Sequence, residues 1–569
     1  MRKYLSILLI LIMCLVLFVQ GCSGAKPEES TVDKEEQKEL QTPQEGETEG
    51  QEESDDWEGN MSPPGVFPIV KEKVTLRVFV APEPWIGDFS DNKVTKWYEE
   101  KTNVHIEWMQ VSRDDAGQKV NLMLASQTDL PDIFMTGLTQ AQIITYGSQG
   151  ILLPLNDYIE KLGVGIKQVF EYDSMVKGMI TAPDGNIYGL PEYNECYHCD
   201  FSQRMWINQK WLDNLGLKTP ETTDEFYEVM VAFRDNDPNG NGKKDEIPIS
   251  CAPNDWNGSI DGFLMNPFIY SHSTYNVAIM LENDKFSCAS IQPGWKEGLK
   301  FLRKLYSEGL IDPECFTADT NHLRMLVESE DGCRVGAIPA GSVYFADKTK
   351  PTKEEFVPLA PLKGPTGLRQ TPQYPTSVSQ CFFITNVCKY PEIAFRWGDG
   401  QYTLDPIESL AWSGEENVDW RRAKEGEVGL DGRPAVYVPI LPYGEPHNSH
   451  WGQPHPQIVT NEKRFGQAVP QGEWDHETIL YQARKNYYEM YGPKQVIPPL
   501  FYSEDVVEEV SELGTALHQY QDECTARFIT GDMDIDTEWD KYVEEMKRIG
   551  IDRYIEIMQE TYDRQYLGK

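Results

Sequence analysis

The sequence predicts an α/β protein that folds into two or more lobes. Strand and helix patterns alternate from about residue 66 onward, which is typical of parallel sheets covered by helices. The chain has 569 residues, whereas a single hydrophobic core stops growing at ~250–300 residues. Its content of 40% hydrophobic and 11% aromatic residues is ample for such cores.

The first 22 residues have the pattern of an export signal. Arg2-Lys3 precedes an apolar run from Leu5 to Val19, and Gly21-Cys22 follows it. The run is shorter than the ~20 residues of a comfortable membrane span. Its ending resembles a lipobox, so we predict a lipoprotein signal peptide over 1–21 and an acyl lipid such as palmitate on Cys22. The alternatives are an uncleaved anchor and ordinary secretion with an incidental cysteine.

Residues 22–65 are predicted to form a disordered, acidic tether. The segment is rich in Glu, Gln, Ser, Thr and Gly and has almost no apolar residue. Such a segment cannot bury enough apolar surface to offset the entropy of ordering it. With a lipid on Cys22, the rest of the chain would be held at the extracellular face of the cell membrane.

The folded part opens with a predicted βαβαβ unit. Its strand candidates are 74–80, 104–109 and 132–135, and its helices start after Asp91 or Asn92 and around Gln118. Ligands of such sheets bind in the crevice beyond the carboxyl ends of the strands. The loops at those ends are 81–85 and 136–139, and Trp85 is therefore the first candidate contact.

Further elements follow along the chain. Residues 182–186 read as a hairpin turn. Strands are predicted at 334–338 and 380–385 and helices at 209–215, 223–233, 295–308, from Tyr390, and at the end of the chain over 539–549 and 552–562.

The charge of the chain excludes one class of function. Lys and Arg number 52 against 91 Asp and Glu, so the net charge is −39. A nucleic-acid-binding protein needs a basic surface for the phosphates. We therefore expect no nucleic-acid partner.

The cysteines are those of an exported protein. Of 11 cysteines, Cys14 leaves with the signal and Cys22 takes the lipid, which leaves nine and hence at least one without an intramolecular partner. The motif Cys196-Tyr-His-Cys199 has no second CxxC and no thioredoxin-like context, so a local disulfide or plain thiols are favoured over a redox pair or a metal site.

The sharpest chemical motif is the segment 237–246. Oxygen-bearing side chains stand at every second position and a Gly at the sixth, as in the calcium loop of EF-hands. We predict a structural Ca²⁺ site. The twelfth position, where an EF-hand has a bidentate Glu, is Pro248, so acidic residues at positions nine and ten must complete it. The predicted ligands are Asp237, Asn239, Asn241, Lys243 through its carbonyl, Asp245 and Glu246. The alternative is an ordinary Asx-rich surface turn.

Together these segments resemble a known family. The lipobox, the tether, the βαβαβ unit, residues 185–191, 206–217 and 222–226, and the helical ending are similar to extracellular solute-binding lipoproteins of ABC importers. The resemblance is to the oligosaccharide-binding type (family 1) of Gram-positive bacteria, related to alginate-binding proteins that carry the same calcium loop. It implies a type II, periplasmic-binding-protein-like fold with a ligand cleft between two lobes, and delivery to a permease pair powered by an ATPase.

The resemblance also implies a division of the chain. Lobe 1 is expected over 66–190 with a return segment near 350–395, and lobe 2 over 191–349 and 396–569 with the C-terminal helices. We expect a monomer that binds an oligosaccharide without altering it.

Sugar sites combine aromatic platforms with carboxylates, amides and guanidinium groups. The candidate aromatic contacts lie in loops and are Trp85, Tyr193, Tyr197, Trp256, Tyr344, Trp412 and Trp451. The candidate hydroxyl partners are Asp88, Glu192 and Asp399. Each aromatic could equally be a packed or merely exposed side chain. Trp97 and Trp397, on helix faces, are assigned to the core, and zinc binding by His447, His450 and His455 is disfavoured because their spacing is no recognised ligand pattern.

Two other functions are weighed against transport of an oligosaccharide. A receptor for a peptide or another solute would share the same architecture. A surface glycosidase needs only two facing carboxylates, and 91 acidic residues offer many pairs. The sequence contains no GxSxG, HExxH or P-loop motif, so we expect no enzymatic activity of those classes.

Overall fold

A computed structural model describes residues 57–568 except 273–276, 348, 442–445, 453–454 and 471–473. The predicted signal peptide, Cys22 and most of the predicted tether lie outside the described residues.

The strands are β1 (Val74–Val80), β2 (Val104–Gln110), β3 (Ile133–Met135), β4 (Gly189–Asn194), β5 (Met205–Asn208), β6 (Ile247–Ile249), β7 (Ile279–Glu282), β8 (Lys285–Cys288), β9 (Val335–Pro339), β10 (Phe356–Leu359), β11 (Ser377–Ile384), β12 (Trp420–Arg422), β13 (Tyr437–Pro439) and β14 (Gln457–Val459). The α-helices are α1 (Trp57–Asn60), α2 (Lys93–Thr102), α3 (Arg113–Ser126), α4 (Gln140–Ser148), α5 (Asn156–Leu162), α6 (Gly165–Tyr172), α7 (Met175–Ile180), α8 (Gln209–Leu215), α9 (Thr223–Asp235), α10 (Ile260–Leu264), α11 (Pro293–Ser307), α12 (Thr320–Val327), α13 (Pro391–Asp399), α14 (Asn461–Phe465), α15 (His476–Ala483), α16 (Glu504–Thr530), α17 (Ile535–Ile549) and α18 (Ile551–Tyr562).

The first sheet has six strands in the order β14-β4-β11-β3-β1-β2. Strand β1 pairs in parallel with β2 and β3, which confirms the predicted βαβαβ opening. Strand β11 runs antiparallel to both β3 and β4, and β14 pairs in parallel with β4. The side chain of Asn92 accepts from the backbone N–H of Val94 and so starts α2, because a helix leaves its first N–H groups without internal partners.

The second sheet has four strands in the order β10-β5-β9-β6. Strand β6 is parallel to β9, whereas β5 is antiparallel to both β9 and β10. Helix α9, which packs on β6, begins with a capping box in which Thr222 and Glu225 bond each other's backbone N–H. Two further ribbons, β7-β8 and β12-β13, stand apart from these sheets.

Two segments cross between the sheets. Residues 195–204 link β4 to β5, and residues 360–376 link β10 to β11. Further along the chain, β14 of the first sheet is followed by α14 and then by α15, whose Leu480 is buried with the core of the second sheet.

The structure divides the chain differently from the predicted boundaries. Strand β10, expected in the return to lobe 1, belongs to the second sheet, while β14, expected in lobe 2, belongs to the first. Trp412 and Trp451, which lie between α13 and β14, also pack in the core of the first sheet. The physical reason is the pairing of β14 with β4, a contact between segments more than 250 residues apart that local patterns do not reveal.

The end of the predicted tether is part of the folded body. Asn60 Nδ2 donates to the carbonyl of Glu72 at 3.0 Å. Arg396 Nη1 donates to the carbonyl of Ser62 at 2.8 Å. The boundary therefore lies before residue 57, earlier than residue 65.

The C-terminal helices pack around α16, a helix of 27 residues that the sequence analysis missed. It contacts α11, α17 and α18, and also α4 from the first half of the chain. The side chain of Gln140 in α4 donates to the carbonyl of Leu500 at 2.6 Å and accepts from the N–H of Tyr502 at 3.3 Å. None of the described helices combines the length and apolar character needed to cross a bilayer.

Candidate functional site

Two sheet edges meet at the crossing segments. At one end of the first sheet lie the carboxyl ends of β1, β3 and β4 and the amino end of β11, and we call this end of the sheet the first edge. The second edge is the side of the second sheet that holds the carboxyl ends of β6, β9 and β10 and the amino end of β5. Segments 195–204 and 360–376 each run from one edge to the other, so both edges border the same connections.

The first edge contains a polar pocket of about 380 Å³. Loops 81–85 and 136–139, expected at this position, contribute Glu83 and Thr136 to its lining. Its other polar residues are Arg113, Glu192, Ser379 and Gln380. The pocket thus lies beyond the carboxyl ends of parallel strands, where ligands of open α/β sheets bind.

The charges of this pocket are largely compensated within the protein. Arg113 forms an ion pair with Glu83. Burial raises the pKa of Glu192 to about 7, although a hydrogen bond from Asn194 and the charge of Arg464 act in the opposite direction. Gln380 Oε1 is buried without a hydrogen-bond partner in the described structure. A buried acceptor of this kind is costly unless a ligand or water donates to it.

The second edge carries exposed aromatic rings. Trp256 follows β6 and is 39% exposed, and Tyr344 follows β9 and is 48% exposed. The ring of Tyr344 stacks on His476 with centroids 4.6 Å apart. A Cβ at Gly341 would lie 2.5 Å from the Trp256 indole, so only glycine lets the indole lie on this strand end. We call Trp256, Tyr344 and His476 the aromatic platform.

A partly buried carboxylate, that of Glu477, organises the residues beside the platform. Glu477 Oε2 accepts from the hydroxyl of Tyr197 at 2.8 Å and lies 3.3 Å from His198 Nε2. Burial acts to raise the pKa of Glu477, but hydrogen bonds from His198 and His476 outweigh it and hold the pKa well below its usual value. Burial lowers the pKa of His198. Glu477 is therefore ionised, and its neighbours are fixed around it.

In the predicted metal-binding loop, backbone N–H groups donate hydrogen bonds to side-chain oxygens of the same loop. The N–H of Asn241 donates at 3.0 Å to the side-chain oxygens of both Asp237 and Asn239. Glu246 is the decisive residue, because both of its carboxylate oxygens are buried without a hydrogen-bond partner in the described structure. A buried carboxylate without a donor is costly, whereas a hard cation with oxygen ligands would satisfy it. The donor set fits a calcium ion.

Cys196 and Cys199 form a disulfide in crossing segment 195–204, which confirms the local-disulfide alternative. Their sulfurs lie close to His198 but, being bonded to each other, are no free ligand set. The other cysteines of the described chain are free and buried, namely Cys251, Cys288, Cys315, Cys333, Cys381, Cys388 and Cys524.

Comparison with known proteins decides the family. Residues 83–399, more than half of the chain, match the family of bacterial extracellular solute-binding proteins. The chain belongs to this family.

Individual relatives agree with that membership. This solute-binding protein is 28% identical over 521 residues to the fructooligosaccharide ABC transporter substrate-binding protein FusA of Streptococcus pneumoniae, covering 88% of this chain and 92% of FusA. It is 24% identical over 490 residues to lipoprotein LipO of Bacillus subtilis, covering 82% and 88%. A solved structure of a FusA EF-hand mutant from S. pneumoniae in complex with fructo-nystose superposes with a TM-score of 0.72 and 26% identity, covering 87% of this chain and all of that one. The predicted two-lobed α/β fold class is confirmed.

Several predicted contacts of the solute-binding protein lie at the two edges. Trp256 and Tyr344 form the exposed platform. Trp85, in the loop after β1, is half-buried and packs against the core of the first sheet. Tyr193 and Tyr197 are buried and direct their hydroxyls at carboxylates, Tyr193 at Glu195 (3.2 Å) and Tyr197 at Glu477. Their ring faces are therefore packed, which differs from the predicted stacking role.

Trp412 and Trp451 belong to the core, and the prediction that they contact ligand is wrong for this structure. Trp451 is 1% exposed, and its Nε1 donates to Thr95 Oγ1 at 2.7 Å. Its ring lies among other aromatic rings, which with Trp451 we call the Trp451 cluster: Phe89, Tyr98, Trp108, Trp397 and Trp412. Trp397 is in the core as predicted, and Trp97 packs edge-on against Trp412 at 5.2 Å.

The three residues predicted to bind sugar hydroxyls lie in different environments. Glu192 lines the pocket. Asp399 is buried and accepts the N–H groups of Val164, Gly165 and Ile166 at 2.8–3.1 Å, so it binds the start of α6 rather than a ligand. Asp88 accepts from the N–H of Ser90 and begins a short 3₁₀ turn.

The histidines near Trp451 serve the local structure. His447 and His450 accept from the backbone N–H groups of Ser449 and Gly452, and His455 is buried beside Gln401. Burial lowers the pKa of His455 to about 3.

Sequence reasoning missed several polar residues of the site. Arg113 follows the helix cap Ser112, directly after β2, and this position could have identified it. Gln380, His476 and Glu477 carry no comparable local signal, because they reach the edges through long-range strand and segment contacts.

Proposed function

We propose that the protein captures an oligosaccharide between the first and second edges and delivers it to the permease pair of an ABC importer, with import powered by a separate ATPase. The observation that carries the proposal is the pairing of an exposed aromatic platform with a polar pocket at two edges joined by the same segments. Sugars present apolar faces ringed by hydroxyls. FusA, described as a fructooligosaccharide-binding protein, has the same architecture over most of its length.

In this proposal the two sheets mark the two lobes. Segments 195–204 and 360–376 then form the hinge. The protein grips its ligand and performs no chemistry on it.

Titration calorimetry with a panel of glycans and peptides tests the proposal. We expect binding of at least one oligosaccharide and no release of new reducing ends on prolonged incubation. Binding of peptides alone would favour the general solute receptor, and new reducing ends would favour a glycosidase.

We further propose that Cys22 carries the lipid that anchors the protein at the extracellular face of the cell membrane. The apolar run before Gly21-Cys22 and the likeness to a protein described as lipoprotein LipO support this. Labelled palmitate is expected to enter the wild-type protein and to be absent from Cys22→Ser. Equal labelling of both would contradict the proposal.

We also propose a structural Ca²⁺ ion in the loop 237–246. Asp237, Asn239, Asn241, the carbonyl of Lys243 and Glu246 would hold it. Asp245 would act as a support, because its carboxylate already receives Asn241 Nδ2 at 3.0 Å and lies 3.3 Å from Arg334 Nε. The ion would brace the loop between α9 and β6 and supply no catalytic chemistry.

Chelation tests the calcium site. We expect EDTA to lower the melting temperature, since a ligand at ~100 times its Kd stabilises a fold by about 2.7 kcal/mol. Glu246→Gln should reduce the response to calcium. Asp331→Asn is the matched control, because Asp331 pairs only with the Lys243 side chain at the loop surface in the described contacts. A melting temperature that EDTA leaves unchanged in metal-free buffer would contradict the proposed calcium site.

A further inference from the structure

We propose that the cleft selects neutral oligosaccharides and rejects chains that carry uronic acids. This inference rests on the proposed function and names the substrate class within it. It separates two groups of ligand that the resemblance leaves open, since alginate is a polymer of uronates.

The first edge presents more carboxyl groups than free cations. Glu83 and Glu192 line the pocket together with a single guanidinium, that of Arg113. Arg113 is bound by Glu83, so its charge is compensated before any ligand arrives. A sugar carboxylate placed here would lose its hydration and find no free cation as a partner.

Two guanidinium groups that bond the crossing segment 195–204 and the strand before it are also engaged. Arg464 donates to the carbonyl of Glu195 at 2.8 Å and to Asn194 Oδ1 at 2.7 Å. Arg484 forms ion pairs with Asp200 and Glu489 at 3.0 and 2.8 Å. Rearranging them toward a ligand carboxylate would break these contacts.

Glu477, which follows His476 of the aromatic platform, adds a negative charge. Its Oε1 lies 3.6 Å from His476 Nδ1, and its Oε2 accepts from the Tyr197 hydroxyl. The buried guanidinium of Arg204 is engaged as well, because it donates to the carbonyls of Gly341 and His198. Arg324, which donates to the carbonyl of Tyr344 at 2.9 Å, is exposed to solvent. Its charge is therefore screened by water and salt and compensates a buried carboxylate poorly.

The remaining features of the pocket suit hydroxyl groups. Gln380 lines the pocket with an uncharged amide, which can hydrogen-bond sugar hydroxyls and cannot neutralise a carboxylate. Ser379 offers a hydroxyl at the same wall. Neutral sugars thus meet the hydrogen-bonding demand without adding charge.

The experiment is calorimetry on the full chain with matched trisaccharides and hexasaccharides. The neutral probes are inulin-type, maltose-type and xylose-type oligosaccharides, and the acidic probes are oligogalacturonate and oligomannuronate. We expect a neutral probe to bind at least about 100-fold more tightly than either acidic probe at low salt, because a carboxylate that leaves water without gaining a cationic partner is costly to bind.

Glu83→Gln provides a gain-of-function arm. It frees Arg113, so the acidic probes should gain about tenfold in affinity, the effect of one unpaired guanidinium. Glu192→Gln removes the second carboxyl group and should likewise reduce the difference in affinity between the neutral and the acidic probes. Glu509→Gln, which breaks a similar pair with Arg553 on the C-terminal helices, should change neither affinity.

The outcomes separate the two proposals. An acidic probe that binds wild type as tightly as the neutral probes overturns the inference and leaves oligosaccharide capture intact. Binding of no glycan of either kind overturns both.

Discussion

The Trp451 cluster and the aromatic platform each contain a tryptophan that lies in a polar stretch of sequence. The cluster is part of the core, whereas the platform is exposed at the surface. Both Trp451 and Trp256 stand in polar loops, flanked by Ser, His, Asn, Asp and Gly. The loop of Trp451 is pinned to the start of α2, where the N–H groups of Lys93 and Val94 donate to the carbonyls of Asn448 and Ser449 at 3.2 Å. The loop of Trp256 is bonded instead to the end of β9, where the N–H of Gly341 donates to the Trp256 carbonyl at 2.7 Å, and the indole stays 39% exposed. Contact with the start of α2, which is distant in sequence, buries Trp451. The local sequence alone therefore does not indicate which of the two tryptophans a ligand can reach.

The largest expected effect separates the regions by stability. Trp451→Ala should cost about 3–5 kcal/mol of unfolding free energy, because it leaves a cavity inside a packed aromatic core. Trp256→Ala should cost about 1 kcal/mol or less, as expected for a partly exposed side chain. Urea unfolding followed by circular dichroism measures both. Equal losses would break the distinction.

A second effect compares two buried carboxyl groups, Glu192 at the first edge and Asp399 in the core. The pKa of Glu192 in the folded protein, raised by burial to about 7, is above the ordinary glutamate value of 4.5. As pH rises, Glu192 therefore loses its proton in the unfolded chain at a lower pH than in the folded protein. The contribution of Glu192 to stability falls as pH rises from 4.5 to 7 and is constant above pH 7. Glu192→Gln removes that fall and should gain up to about 3 kcal/mol relative to wild type between pH 4 and pH 8.

Asp399→Asn is the contrasting variant. Asp399 accepts three backbone N–H groups, and an amide in its place turns an NH₂ toward some of them. It should destabilise the protein by about 1–3 kcal/mol at neutral pH. A gain in stability for Asp399→Asn at neutral pH, like the gain expected for Glu192→Gln, would contradict the assignment of different roles.

The smallest effect concerns binding alone. Tyr344→Ala should weaken oligosaccharide binding about tenfold, because one stacking surface of the platform is lost. Its change in stability should stay within about 0.5 kcal/mol, since the side chain is on the surface. Tyr344→Phe, which keeps the ring, should bind nearly as wild type. Calorimetry and thermal melts on the same samples measure the two quantities.

Local patterns predicted the parts of this molecule that local physics decides. The β-branched run at 74–80, the loops after β1 and β3, the CxxC disulfide and the turn at 182–186 all lie where the sequence indicates. The burial of Trp451 and the membership of β14 in the first sheet could not be found this way. Both depend on pairing between segments hundreds of residues apart, and the amphipathic face of α16 is likewise defined by the helices it meets.

The side chain of Gln140 has a mechanical consequence. It belongs to α4, which follows β3 of the first sheet, but both of its hydrogen bonds go to residues 500 and 502 just before α16. Helix α16 in turn packs on α11, on the side of the second sheet. In the proposed opening of the two lobes, both hydrogen bonds of this amide would break together with the packing of α4 on α16, so this contact would resist separation of the lobes in the empty protein.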